Sequence, residues 1–122
     1  MHELSVARSL MDLVEDHVRR NGARRVTRIV VVVGVLSGVE PELLRRAFEV
    51  IKEGTVADSA TLVIEMENLS IRCANCGAFE EKEELSVLCS RCGSPNTEVV
   101  RGEDLLLRSL EMELDEASQN LS

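Results

Sequence analysis

Apolar residues recur every three or four positions in the first twenty residues of the chain. They stand at Leu4, Ala7, Met11, Val14 and Val18, with charged residues between them. This spacing predicts an amphipathic α-helix that ends at Asn21-Gly22, because glycine readily takes the left-handed conformation of a helix C-cap. We expect the packing of Leu4 to hold the residues before it against the domain.

Further patterns predict a second helix and three strands. The β-branched run from Arg25 to Gly34 predicts a strand that is covered on both faces. Pro41 suits the first position of a helix ending near Gly54, whose predicted inward residues are Leu43, Leu44, Ala47, Phe48 and Ile51. Alternation over 61–68 and 104–114 predicts two more strands. Their predicted inward residues are Leu62, Ile64 and Met66, then Leu106, Leu110, Met112 and Leu114.

The order of these elements predicts an α+β fold. Two helices pack on a three-stranded sheet, and a cysteine-rich module is inserted before the last strand, which must return across it to complete the sheet. Residues 1–69 and 99–114 are then one discontinuous domain, and 70–98 are a second. The segment 115–122 lacks apolar periodicity and predicts a disordered tail.

Composition narrows the class of function. The chain has 122 residues, 14 basic and 22 acidic, with a net charge of −8, no Trp or Tyr and two Phe. A negative field repels polyanions and few aromatic rings are present for base stacking, so we expect no nucleic-acid partner. No long apolar run or secretory signal is found, which predicts a cytoplasmic protein without membrane association. In that reducing compartment, four cysteines favour metal binding or redox chemistry over disulfides.

The four cysteines form two C-x2-C-G motifs, "CANCG" and "CSRCG", and twelve residues separate Cys76 from Cys89. Two such turns on a short hairpin place four thiolates in a tetrahedron around Zn²⁺, and a single iron of the rubredoxin type fits the same spacing. The ligands would be Cys73, Cys76, Cys89 and Cys92. Four thiolates leave no open coordination position, so this zinc is predicted to be structural. Two matched motifs argue against a thioredoxin-like redox pair, and no other nucleophile or base is evident, so we do not predict an enzyme.

The opening "MHE" offers a different metal site. The α-amine of Met1, the backbone nitrogen and imidazole Nδ1 of His2, and the backbone nitrogen or carboxylate of Glu3 can close chelate rings around one cation. Nitrogen donors in a plane favour Ni(II) or Cu(II) over Zn(II). The alternative is that His2 is a solvated terminal residue without a role. His17 lies on the polar face of the predicted helix and is expected to be a surface residue.

These motifs together resemble the HypA/HybF family of nickel metallochaperones, which mature [NiFe]-hydrogenases. The resemblance runs from Met1 to about Leu114 and rests on four stretches: "MHELSVARSLMDLVE", "LSGVEPELLRRAFEVIKEGTVADSATLVIE", the two cysteine motifs and "SLEMEL". It implies Ni(II) as transferred cargo on His2, with Met1 and Glu3 nearby, and structural zinc on the four cysteines. It also implies delivery to a hydrogenase large subunit with a HypB-like GTPase. Some relatives serve urease, so urease accessory proteins are further candidate partners.

Three stretches depart from the usual family pattern. Val35 stands where an acid is common, "CSRCG" replaces C-P-x-C-G, and "GEDL" replaces G-R-E-L. None of these changes removes a predicted ligand.

The protein is expected to be a monomer or a homodimer. The alternative function is a zinc-ribbon module that binds protein or nucleic acid without selectivity for nickel. Residues 70–98 carry three basic and five acidic residues, and this negative balance argues against nucleic acid as the partner of the module.

Overall fold

A computed structural model describes residues 2–114 of the chain, so Met1 and the predicted tail 115–122 lie outside the described residues. The helices are α1 (Glu3–Asn21) and α2 (Pro41–Ile51). The strands are β1 (Ala23–Gly34), β2 (Thr61–Glu67), β3 (Leu69–Cys73), β4 (Phe79–Lys82), β5 (Thr97–Arg101) and β6 (Leu105–Leu114). No helix within these residues is long and apolar enough to cross a membrane.

The predicted three-stranded sheet is confirmed, with strand order β2-β1-β6. Thr27 of β1 donates its hydroxyl to the carbonyl of Glu111 on β6, and Arg25, two residues earlier on β1, pairs with Glu113, two residues later on β6. These contacts run in opposite order along the two strands, so β1 and β6 are antiparallel. The last strand does return across the inserted module to complete the sheet.

The described residues form two compact units, each with its own buried residues. The first comprises 2–31, 40–64 and 107–114, and the second comprises 32–39 and 65–106. In the first unit α1 packs against α2. Its fully buried side chains include Ala7, Val14, Val26, Ile29, Leu44 and Phe48. These are the apolar faces that the helical and strand periodicities predicted, and β-branched residues of β1 are buried on both faces as expected.

Several residues predicted to point inward are exposed. The exposed fraction is 51% for Leu4, 45% for Leu43 and 50% for Met66. Leu106 and Leu114 of β6 are also exposed. The prediction that Leu4 packs against the domain is therefore wrong, and Leu10, which the helical pattern omitted, is buried. Periodicity identifies residues that share a face, but a face is buried only where another element covers it.

The second unit contains an antiparallel sheet of order β4-β3-β5. Leu69 and Ile71 of β3 are fully buried, and Ile71 lies opposite Glu80 on β4 and Val99 on β5. The sequence predicted only a short hairpin here. β3 is difficult to detect from sequence because it is five residues long, follows β2 after one residue and includes a buried serine, Ser70.

Candidate metal centres

The four cysteines of the second unit converge on one point. Cys73 ends β3, Cys76 follows in the next turn, and Cys89 and Cys92 come from the loop between β4 and β5. All four Sγ atoms lie within 4.8 Å of one another. The Sγ atoms of Cys73 and Cys92 are 3.6 Å apart, and so are those of Cys76 and Cys89. This is far longer than the bond of about 2.05 Å in a disulfide, so the thiols are free.

Both C-x2-C-G motifs fold into the same turn, which we call a knuckle. In the first knuckle, Cys73 N–H donates to the carbonyl of Ala78 at 2.8 Å and Gly77 N–H donates to the carbonyl of Cys73 at 2.9 Å. In the second, Cys89 and Gly93 make the equivalent bonds at 3.0 and 2.8 Å. Gly77 and Gly93 have φ values of +78° and +75°, which side chains disfavour, so glycine is needed to close each turn.

The knuckles direct N–H donors at the sulfur atoms. Cys76 N–H lies 3.4 Å from the Sγ of Cys73. The side-chain amide of Asn75, 3.6 Å from the Sγ of Cys92, and the N–H of Ser94 lower the pKa of Cys92 to about 6. Hydrogen bonds from these donors stabilise thiolate over thiol, which is the form that binds metals.

The remaining cysteines show the effect of crowding four sulfurs together. Backbone N–H groups of Cys92 and Arg91 lower the pKa of Cys89. At Cys76, the N–H of Ala78 lowers the pKa, but contact with the Cys89 sulfur, burial, and contacts with the other two sulfurs raise it to about 11 overall. Without a cation between the sulfurs, this raised pKa keeps the Cys76 thiol protonated near neutral pH, because adjacent thiolates repel one another.

This geometry fits one tetrahedral metal ion. A metal–sulfur bond of about 2.3 Å in a regular tetrahedron places neighbouring sulfurs about 3.8 Å apart, close to the two separations of 3.6 Å. A divalent cation at the centre would neutralise the repulsion between thiolates. Such a site holds its ion with protein ligands only, so it suits a structural role and offers no position for a substrate.

The amino-terminal residues of the first unit form a second candidate centre. His2 is exposed at the N-cap position of α1, and its carbonyl accepts a bond from Val6 N–H at 2.9 Å. Glu3 is only 6% exposed, and its Oε2 accepts from the N–H of Glu40 at 3.2 Å. Glu40 is the N-cap of α2 and accepts from Leu43 N–H at 2.8 Å. The start of α1 is therefore fixed to the start of α2.

Sequence reasoning missed the contact between Glu3 and Glu40. A glutamate in the first helical turn normally indicates a solvated residue, and its partner lies 37 positions further along the chain. The only local signal was "VEPE", which marks the start of α2 and hence a group of N–H donors without helical partners. Met1, the remaining predicted residue of this centre, lies outside the described residues.

His17 does not belong to this centre. It lies fifteen residues after His2, which corresponds to about 22 Å along a continuous helix. It is half-buried and lines a shallow pocket with residues of β6, including Leu107 and Leu110. His17 is therefore too far from the candidate terminal centre to belong to it, and it serves as an internal comparison for His2.

The fold and the cysteine geometry are those of a two-unit protein with a candidate metal site of the zinc-ribbon type. A family model described as "Hydrogenase/urease nickel incorporation, metallochaperone, hypA" matches residues 1–112. The chain belongs to this HypA family. It is 55% identical over 115 residues to the hydrogenase maturation factor HypA of Aquifex aeolicus, covering 94% of this chain and 100% of that protein. It is 44% identical over 117 residues to HypA of Wolinella succinogenes, covering 95% and 98%.

Solved structures agree with this assignment. The solution structure of the Ni metallochaperone HypA from Helicobacter pylori matches with a TM-score of 0.73 and 33% identity, covering 93% of this chain and 98% of that one. A second solution structure of a HypA protein also matches with a TM-score of 0.73, at 34% identity. The resemblance read from the sequence motifs is confirmed.

Proposed function

We propose that the chain binds Ni(II) at its amino terminus and delivers it for maturation of a [NiFe]-hydrogenase. Membership of a nickel metallochaperone family supports this proposal. The observation that carries it is the anchored start of α1, which exposes His2 while Glu3 is buried against Glu40 N–H. A terminus held in this way can present several donors to one ion at little entropic cost.

The backbone geometry explains how nitrogen donors become available. Helix α1 begins at Glu3, so the amide of His2 precedes the helix. A metal can therefore replace the amide proton of His2 without breaking a helical hydrogen bond. The Met1 amine, the His2 amide nitrogen and the His2 imidazole Nδ1 would close fused five- and six-membered chelate rings on one ion, and a nitrogen-rich donor set of this kind favours Ni(II) over Zn(II).

A structural Zn²⁺ on Cys73, Cys76, Cys89 and Cys92 is the second part of the proposal. The sulfur separations and the N–H donors directed at the sulfurs support it. The zinc would stabilise the second unit and take no part in nickel transfer. Reduced thiols are required, which fits a cytoplasmic protein.

The partners follow from the proposed cargo. A HypB-like GTPase and a hydrogenase large subunit would interact with the nickel-loaded protein, and urease accessory proteins are alternative recipients. An exposed terminal site of modest affinity suits a carrier, because the ion must leave it. We propose a binding role without catalysis.

The first prediction concerns His2. Calorimetric titration of Ni(II) into zinc-loaded, untagged protein should show one nickel per chain. His2→Ala and a version with residues added before Met1 should abolish this binding, because each removes nitrogen donors. The affinity should fall as pH decreases, since protons compete with the metal for the amine and imidazole nitrogens.

His17→Ala is the matched control, since it removes the other histidine on the same helix and should leave nickel binding intact. Nickel binding that survives in both His2→Ala and the extended version would contradict the proposed terminal site. The chain would then be better described as a zinc-ribbon interaction module.

A further inference from the structure

The second unit contains a buried lysine that the proposed function does not use. The side chain of Lys82, at the end of β4, is 5% exposed. Its Nζ donates to the carbonyl of Leu88 at 2.9 Å and to Oγ of Ser90 at 2.9 Å, and lies 3.3 Å from Oε1 of Glu80. These three acceptors match the three N–H bonds of an ammonium group and compensate for its removal from water.

The acceptors of Lys82 lie on both sides of one cysteine. Leu88 precedes Cys89, and Ser90 follows it. Glu80, which pairs with Lys82, also accepts from the backbone N–H of Ser90 at 3.0 Å. The residues flanking Cys89 are therefore fixed by three hydrogen bonds to one ion pair, of which Lys82 is buried and Glu80 half-buried.

The first knuckle does not need this support. Cys73 is the last residue of β3 and pairs with Thr97 of β5. By contrast, Cys89 and Cys92 lie in the loop 83–96, which contains no strand. The two knuckles have the same internal turn, but the sheet holds one of them and a side-chain network holds the other.

We propose that Lys82 is a positioning residue for the metal centre, holding the second knuckle so that the Sγ atoms of Cys89 and Cys92 complete the tetrahedron. This inference rests on the proposed binding of zinc by the four cysteines. Lys82 does not contact the metal in this role. It acts by restricting the backbone on either side of Cys89, and outer groups that orient ligands commonly change metal affinity by about 10–100-fold.

The test compares zinc affinities by competition with a chromophoric chelator, using the full chain under reducing conditions. Lys82→Met keeps the apolar stem and removes the ammonium group, and it should weaken zinc binding about tenfold or more. Lys52→Met is the matched control. Lys52 is also largely buried, donates to the carbonyl of Ala60 at 3.0 Å and pairs with Glu49 at 3.1 Å, but it belongs to the first unit. It should leave zinc affinity unchanged.

Hydrogen exchange of the zinc-loaded protein distinguishes positioning from general destabilisation. Lys82→Met should speed exchange at the amides of Cys89 and Gly93 while those of Cys73 and Gly77 stay protected. Equal loss of protection in both knuckles would overturn the proposal, because it would indicate a general effect on the unit. Zinc affinity within twofold of the parent protein would also overturn it.

Ser90→Ala separates positioning from simple electrostatic attraction. It removes one acceptor of Lys82 but keeps the positive charge, and it should weaken zinc binding and loosen the same knuckle. An effect of Lys82→Met without any effect of Ser90→Ala would assign the role to charge alone and overturn the proposal. Ser90→Ala also carries the test if Lys82→Met does not fold. The proposed zinc site fails separately if Co(II) added to the parent protein lacks a four-thiolate absorption spectrum.

Discussion

Glu113 of β6 is held at the surface by two arginines of β1. Arg25 contacts both carboxylate oxygens, through Nε to Oε2 and through Nη2 to Oε1 at 2.9 Å. Arg24 lies 3.3 Å from Oε2. Hydrogen bonding to Arg25, followed by that to Arg24, lowers the pKa of Glu113. At the residue scale, this two-point contact links β1 to β6 within the first unit.

The sign of the resulting pH dependence follows from this lowered pKa. The ion pair stabilises the folded state fully above the ordinary glutamate value of about 4.5 and loses its effect as pH falls through the lowered pKa. Arg25→Gln should therefore move the pKa of Glu113 up towards the ordinary value. The carboxyl ¹³C resonance of Glu113 measures this pKa directly. A titration of overall stability would not isolate it, because acid also acts on the cysteines of the second unit. Arg28→Gln is the control, since Arg28 pairs with Glu111. An unchanged pKa in Arg25→Gln would contradict the prediction.

At the scale of elements, Gly34 allows the end of β1 to pass close to residues 102–104, the segment that precedes β6. A Cβ at position 34 would lie 2.2 Å from the carbonyl oxygen of Gly102 and 2.9 Å from the nitrogen of Glu103. Both are backbone atoms, so neither can rotate away. The same close approach includes a hydrogen bond from Leu36 N–H to Gly102 at 2.7 Å. The close approach requires a residue without a side chain at position 34.

Gly34→Ala should destabilise the zinc-loaded protein by about 1–3 kcal/mol, because overpacking forces the backbone to move. Urea denaturation gives the stability, and faster hydrogen exchange at Leu36 N–H would locate the damage. Gly38→Ala is the nearby comparison: no atom lies within 4 Å of its Cβ position, so it should leave the Leu36 bond protected although its φ of +79° carries some strain. Unchanged stability of Gly34→Ala would show that the close approach can relax.

The sequence predicted the elements better than the contacts between them. Helical and strand periods identified α1, α2 and the three strands of the first sheet, and cysteine spacing identified the residues that converge in the second unit. Burial of Glu3 and Lys82 was not predictable, because both residue types are normally solvated and their partners become neighbours only through folding. The exposure of Leu4 was also not predictable, because the local pattern shows which residues share a face but not whether another element covers that face.

At the scale of the whole molecule, each unit has its own buried core and its own candidate metal centre. The second unit is small and its core includes two of the cysteines, Cys73 and Cys89. Units of this size commonly depend on a metal or disulfide for stability. The first unit contains the packed pair of helices and all the contacts that fix Glu3 to Glu40. The two centres should therefore differ in what their loss does to the protein.

This difference predicts the result of removing zinc permanently. Replacing all four cysteines by alanine removes the zinc site and also avoids free thiols, which would themselves bind nickel. Hydrogen exchange should show that β3, β4 and β5 lose protection while α1 and α2 keep theirs. Calorimetry should show nickel affinity within about threefold of the parent protein, a change below 1 kcal/mol. His2→Ala in the same background should abolish the remaining binding. A fall in nickel affinity of more than tenfold, with α1 still protected, would contradict this independence and show that the zinc centre is coupled to the terminal site.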